Sequence, residues 1–458
     1  MILDNVQLFT DNSIRNGMIL IIDGIINEIK IEPSEEERDL LMRKDKESNL
    51  INCEGRTCIP GIIDIHSHLR DLEQSEKETF QTGTMAAAFS GITTVFNMPN
   101  TKPPAITSDQ VQKWMLQAQK GVYIDVGFIS GVPRHINQEE IKKIIDLGVI
   151  GFKVYPHCPL SGIDWMNPLN IQAILRISAK YQVPIFFHPD IPMNEEERKA
   201  KFDKYVKKGY TYLKIHNILY EDKKEAEFIS HIIDNYKKIS NQCDRENVEI
   251  PRIHFCHVTN RLSYEILKDI KENGNYPKIT FEITPHHLLL SEDKDLKNPN
   301  FGKVLPPLRK EEDQLFLFDK LKSGRIELIG TDHAPHTIEE KSRNFIEAPS
   351  GFPGFETYAL SLMEMIPLNI FVRISAENPA IMFGLSRKGF IKEGFDADLV
   401  IFENVEKYHI DSSKFKTKAK FSPFEGFETS IKIWKVFLRG NEINRDGTIA
   451  RGKIIQRK

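Results

Sequence analysis

The chain is short of what would tie it to nucleic acid, a membrane or an oxidising compartment. Its 62 Lys and Arg stand against 65 Asp and Glu, a formal net charge of -3, and the sequence pI is about 6.6. That balance offers no basic footprint for nucleic acid. No apolar run approaches the roughly 20 residues of a membrane span, so no membrane partner is expected. The opening MILDNVQLFTDNSIRNG lacks the basic start and long apolar core of a signal peptide. Five cysteines, Cys53, Cys58, Cys158, Cys243 and Cys256, form no metal-ligand spacing, and their odd number suits a reducing cytoplasm. Only Cys256 lies near candidate chemistry, and it reads as a core residue. No glycine-rich phosphate loop follows the early strand candidates, which argues against an open nucleotide-binding sheet.

At 458 residues the chain exceeds one small core, and a large domain with a lesser one is expected. Residues 1–55 read as short β elements, with NGMILIIDGIINEIKI broken by Asp23-Gly24 and Asn27. Glu35 to Asn49 is a charged surface stretch, loop or short helix. The far end is strand-like again, through DADLVIFENV and SIKIWKVFLRG, punctuated at Gly389 to Asp396, Pro423 to Gly426 and Asp446-Gly447. The simplest assembly packs residues 1–55 and 391–458 into one small β domain and leaves 56–390 as the main one.

That middle alternates. Apolar strand candidates at 62–66, 93–98, 123–128, 150–155, 184–188, 252–258, 279–283 and 326–332 are separated by helix-like segments, several ending in glycine. In the segment from Gln138, Ile141, Ile144 and Ile145 recur at helical spacing, so one face packs on a sheet. Eight strands alternating with helices predict an α/β architecture, a closed (β/α)8 TIM barrel, with a small β-sandwich domain from both chain ends. The interruption at 189–224, rich in Lys, Glu and Tyr, reads as a solvated helical excursion.

In such barrels, residues at the C-terminal ends of strands face the active site. Strand one, in GIIDIHSHLRD, closes with His66 and His68; the fourth carries Lys153, the fifth ends in His188, the sixth in His257 and the eighth in Asp332. A bare His-x-His is a weak signal. Four imidazoles, a lysine and a carboxylate from five strands exceed one tetrahedral site and suit two divalent ions held close together. An ammonium is a poor partner for cations. Lys153 fits if it is buried, loses its proton and reacts with carbon dioxide to give a carbamate, whose two oxygens reach one ion each. Two such ions make hydroxide available near neutral pH, and Asp332 can bind one ion and pass a proton to a departing nitrogen. His254, three before His257, is on the wrong face for a ligand and reads as structural. His157, His216 and His231 read as surface or helix residues. Arg70, two beyond His68, has a guanidinium fork suited to a carboxylate. Asn100 and His336 add hydrogen-bonding groups at the mouth, so a small anionic substrate is expected.

These motifs are similar to those of a known family. DIHSHLRD, NMPNTKPP, GFKVY, FFHPD, IHFCHVT, EITPHHL, KVLPPLR, GTDHAPH and SGFPGFET, then NPAIMFGL and KGFIKEGFDADLVIF, resemble the amidohydrolase superfamily nearly end to end, and within it the dihydroorotases. The resemblance implies metal binding by His66, His68, His188, His257 and Asp332, a carboxylated bridge at Lys153, zinc as the usual ion, and a substrate carboxylate held by Arg70, Asn100 and His336. It implies reversible cyclisation of N-carbamoyl-L-aspartate to L-dihydroorotate in pyrimidine biosynthesis, by an enzyme that is commonly a homo-oligomer.

Some positions depart from the family pattern. Leu72-Glu73 follow Arg70-Asp71 where Pro-Gly is usual, His287 replaces an aromatic, and Leu305 replaces an Asn that often touches the substrate ring. Allantoinases share the lysine-strand region but generally lack the residues matching Arg70 and His336; hydantoinases fit less well for the same reason. A non-catalytic relative, with the barrel kept and the ligands lost, is disfavoured because all six positions are filled.

Overall fold

The structure is a computed structural model that describes residues 1–44, 49–274, 276–443 and 452–457. The Asp446-Gly447 turn expected from sequence lies outside the described residues. The charged stretch after residue 34 begins as a helix, Glu35–Lys44, with three Glu in its first turn and Arg43 and Lys44 in its last, the charge order that complements the helix dipole.

Strands β1 (Ile2–Thr10), β2 (Ser13–Ile22) and β3 (Ile25–Ile31) form an antiparallel meander. Asp11-Asn12 and Asp23-Gly24 turn it, all four at positive φ, the conformation that matches strand twist in two-residue hairpins. β4 (Leu50–Asn52) and β5 (Thr57–Pro60) run parallel to β1. The next seven strands are β6 (Ile62–Ser67), β7 (Ile92–Asn97), β8 (Asp125–Gly131), β9 (Gly151–Val154), β10 (Ile185–Phe187), β11 (Ile253–Phe255) and β12 (Ile279–Phe281). They are parallel and neighbour one another in chain order. The eighth, 326–332, forms no ladder. It closes the barrel through isolated bridges, Ile283 to Ile329 and Ser67 to His333, and Asp64 of β6 accepts from the Thr331 amide at 2.9 Å and hydroxyl at 2.5 Å.

β13 (Leu399–His409), β14 (Glu428–Leu438) and β15 (Asn441–Glu442) rejoin the first sheet, in the order β15-β14-β13-β5-β1-β2-β3 with β4 beside β1. Leu3, Leu8, Ile19 and Ile21 from one half share a buried cluster with Leu399, Ile401 and Phe437 from the other, so the sheet folds over its own core as a sandwich. The expected division at 55/56 misplaces β5, which pairs with β1 and β13. It also misplaces β16 (Ile454–Ile455), which pairs in parallel with β8 of the barrel. Neither short segment has enough apolar alternation to reveal its partner.

Inside the barrel, side chains of Ile63, Ile65, Phe96, Phe186 and Leu328 form a cluster capped by Phe383, which stacks on Phe186 at 5.6 Å. This is a filled floor, with the polar groups above it. A buried charge cluster fastens the two domains together. Lys388 pairs with Asp125 of β8 at 2.8 Å and with Asp398 ahead of β13, and Arg439 reaches Asp125 at 2.6 Å. Burial opposes charge on Asp125, yet the two cations hold its carboxyl below the ordinary value. Lys388→Met is expected to cost about 3–5 kcal/mol of unfolding free energy, the cost of stranding buried carboxylates. It is read from the urea midpoint, and a change under about 1 kcal/mol, the scale of a surface pair, would place the junction elsewhere.

Candidate active site

The polar groups gather where the strands end. On β10 and β11, Phe187 and Phe255 face the helices while Phe186 and Cys256 face the interior, so parity sends Lys153, His188 and His254 inward. His66 and His257 do not follow parity alone. A register shift in β6 between Asp64 and Ser67 re-aims His66 after Ile63 and Ile65. His257 has a φ of 35°, which breaks the strand alternation. His254 and His257 therefore both meet the site, though sequence spacing puts them on opposite faces.

Two groups result. His68 Nε2 lies 3.0 Å and His66 Nε2 3.4 Å from the same Asp332 oxygen, Oδ1. Across the mouth, His188 Nδ1 and His257 Nε2 lie 2.9 Å apart. Lys153, buried, donates Nζ to Cys256 Sγ at 2.7 Å. Its charge disfavours protonation of His66, His188 and His257. Burial, reinforced by neighbouring cations, drives His188 and His257 well below the ordinary imidazole range, so both are neutral. Neutral imidazole is the form that ligates a metal. Two lone pairs so close repel unless a proton or cation lies between, and the nitrogen and oxygen donors suit divalent ions. Burial lowers His68 to about 4, against the pull of Asp332. Burial would raise Asp332, but His66 and the His68 hydrogen bond hold its carboxyl well below the usual range.

Glu282, on the residue following β12, is the functional group that sequence reading passed over. Fully buried, it bonds His66 Nδ1, accepts from His254 Nε2 at 3.1 Å and takes the His257 amide at 3.3 Å. With Nδ1 of His66 held by Glu282, its Nε2 is turned toward Asp332. A Cβ on Gly330 would come within 2.7 Å of the Glu282 carboxylate and 2.9 Å of His66, so this place on the eighth strand admits only glycine. The rule that selected His188 and Asp332, the polar residue at each strand end, selects Glu282 when applied to strand seven.

Above these groups lies a cavity of about 240 Å³. Arg70 lines it at the start of three successive positive-φ residues, 70 to 72, held in place by the Asp71 carboxylate accepting from the amides of Leu72 at 2.5 Å and Phe80 at 2.7 Å. Asn100 also lines it, its Oδ1 2.5 Å from His68 Nδ1, so this amide orients an imidazole and keeps its NH2 as a donor. His336 stands behind Arg70: its Nε2 is 3.4 Å from Arg70 Nη2 and its Nδ1 2.9 Å from Glu340. Burial lowers it to about 3, so a neutral ring donating from Nδ1 to Glu340 turns Nε2 toward Arg70. Leu305 is in the wall, as are Tyr155 and His157. His157 is thus a cavity residue, packed 4.6 Å from His188, rather than the surface residue its sequence context suggests. The 189–224 excursion supports the same wall: on helix Tyr212–Leu219, His216 donates Nε2–H to the Val304 carbonyl at 2.7 Å.

The sequence pattern described as "Amidohydrolase family" matches residues 57–443. The chain belongs to the amidohydrolase family. A "Dihydroorotase" of Methanosphaera stadtmanae is 32% identical over 451 residues, covering 96% of this chain and 95% of the relative. One of Methanothermobacter thermautotrophicus is 32% identical over 416 residues, 88% of each chain. Among solved structures, the L-hydantoinase (dihydropyrimidinase) of Arthrobacter aurescens is similar over 100% of this chain and 99% of its own, with a TM-score of 0.87 and 25% identity.

As a member of the amidohydrolase family the chain is a hydrolase acting on cyclic amides, in a metal-dependent class. The ligand atoms of His66, His68 and Asp332 lie within 4.8 Å of one another and could hold one ion. Glu282→Gln is expected to weaken divalent-metal affinity about 10–100-fold, measured as zinc retained after dialysis against graded chelator. Unchanged retention would remove Glu282 from the task of orienting His66.

Proposed function

We propose that this chain is a dihydroorotase, interconverting L-dihydroorotate and N-carbamoyl-L-aspartate in the cytoplasm. The observation that carries the reading is a buried Arg70 in the wall of the cavity that holds His66, His68 and Asp332. A guanidinium there is matched by a substrate carboxylate, which dihydroorotate has and simple cyclic ureides lack. The relatives named dihydroorotase support it.

His66, His68, His188, His257 and Asp332 would hold two divalent ions, zinc being the expected metal, and Lys153 as its carbamate would be a further ligand. When bound, such ions polarise an amide carbonyl and lower the pKa of water. The chain's own groups do the rest. Arg70 and the Asn100 NH2 fix the carboxylate, with His336 turning Nε2 toward the guanidinium from behind. Asp332 has Oδ1 committed to His66 and His68, which leaves Oδ2 to take the proton of the attacking water and return it to the departing ring nitrogen. In the reverse direction the same oxygen removes that proton as the ring closes. Excluding bulk water from a buried site strengthens each of these contacts. No nucleic-acid or membrane partner belongs to this reading, and a homo-oligomer is its expected assembly.

Leu305 in the wall, together with the fold likeness to a hydantoinase, favours a second reading, a cyclic amidohydrolase of substrates without a carboxylate. Parallel kinetics on dihydroorotate, allantoin and dihydrouracil separate the two. Arg70→Ala is expected to reduce kcat/KM on dihydroorotate about 100-fold, the scale of a lost buried charge-assisted pair, with little change on dihydrouracil. An equal loss on both would deny Arg70 the carboxylate. Lys153→Ala is expected to leave less than two ions per chain by elemental analysis and to abolish most activity; full activity with two ions would remove Lys153 from the ligands.

A further inference from the structure

Several polar groups in the cavity wall already have partners or belong to the candidate metal ligands, among them His188 and His257, whose Nε2 and Nδ1 have no hydrogen-bond partner among the described residues. Asn100 is bonded to His68, and Arg70 faces His336 and the Pro335 carbonyl at 3.3 Å. His157 packs on His188, and its Nδ1, 4.0 Å from the Asp190 carboxylate, makes no hydrogen bond among the described residues. Tyr155 is the hydroxyl among these unpartnered groups, and an ion at the histidines would not account for it. Its ring is buried, its hydroxyl is shielded from solvent, and that hydroxyl has no hydrogen-bond partner among the described residues. A buried polar group left so is uncommon and asks for an explanation. Tyr155 stands two residues after Lys153, so it shares the inward face of the β9 line one step closer to the mouth, with Lys153 Nζ 5.2 Å from its ring. Leu305 lines the same cavity and has no polar atom on its side chain.

We infer that the Tyr155 hydroxyl is the ring-recognising donor of this cavity, bonding the ureide edge of the cyclic substrate where the side chain of Leu305 offers nothing. The inference rests on the dihydroorotase reading and deepens it: Arg70 reads the carboxylate, Tyr155 reads the ring. Scissile chemistry belongs to the level of Lys153 and Asp332, and a donor one step toward the mouth meets the remainder of the ring. A site that ends in an unpaired donor also rejects rings lacking an acceptor there, because binding them leaves the hydroxyl unsatisfied. Tyr155 is on this account a specificity-determining residue.

The test is steady-state kinetics on dihydroorotate with the metal-loaded wild type, Tyr155→Phe, Leu305→Asn and the double variant, with bound metal and thermal midpoint measured alongside. Tyr155→Phe is expected to raise KM about tenfold, the worth of one hydrogen bond, with kcat within about threefold and two ions retained. Its thermal midpoint stays equal or rises, since the hydroxyl has no partner in the fold. Adding Leu305→Asn to Tyr155→Phe restores a polar group to the wall and is expected to recover at least about threefold of the lost KM. An unchanged KM in Tyr155→Phe overturns the inference, and so does a double variant no better than Tyr155→Phe alone. A midpoint lowered by several degrees, or lost metal, assigns the hydroxyl to the fold and overturns it equally. A metal-loaded wild type inactive on dihydroorotate overturns the reading beneath it, and with it the substrate named here.

Discussion

Glu282 is a carboxylate with no solvent to stabilise it, and its burial is tolerable only because three groups share its charge: His66 Nδ1, His254 Nε2 and the His257 amide. Burial raises the energy of the anion, and the His66 and His254 imidazoles more than offset this, holding its carboxyl well below the ordinary range. The same contacts fix three strands relative to one another at the level of the site. Gly330 from the eighth strand leaves the room this arrangement needs. The candidate ligands can therefore be aimed before any ion or substrate arrives, which is where binding energy would otherwise be lost to ordering.

The mouth is rigid for a related reason. Two buried lysines, Lys303 and Lys341, donate to backbone carbonyls of the 345–351 segment: Lys303 to Phe345 at 2.6 Å, Lys341 to Pro349 at 3.0 Å and Gly351 at 2.8 Å. That segment brings Ser350 and Gly351 to the cavity. Phe345 stacks on Tyr212 at 5.2 Å and on Phe202 at 6.1 Å, so the charged excursion at 189–224 is anchored by aromatic faces that its composition conceals. Polar helix surface and functional support coexist there: helix Glu195–Lys207 buries no residue, while helix Tyr212–Leu219 buries four.

Strand periodicity made most of the barrel legible, because seven short apolar runs were each bounded by helix-like segments and each became a parallel strand. The eighth was legible as a run but not as a ladder; it is held by two bridges and by Asp64, and no local pattern distinguishes a strand from a segment tied by side chains. The candidate ligands were legible as strand-end residues. Glu282 was not singled out, and His157 looked like surface, since its burial comes from His188, thirty-one residues later, and from Asp190.

What the sequence determined by itself was the set of candidate donors and their place at one end of the barrel: His66, His68, Lys153, His188, His257, Asp332 and Arg70 are named by their positions at strand ends and by their chemistry. Their aim was decided only in three dimensions. A register shift in β6 turns His66, a φ of 35° turns His257 and one of 50° turns Asp332, and none of these follows from residue type, because each is imposed by neighbours distant in the chain. The partners of β5 and β16 were likewise settled by tertiary packing, where pairing depends on which edge lies within reach rather than on the few residues of the strand.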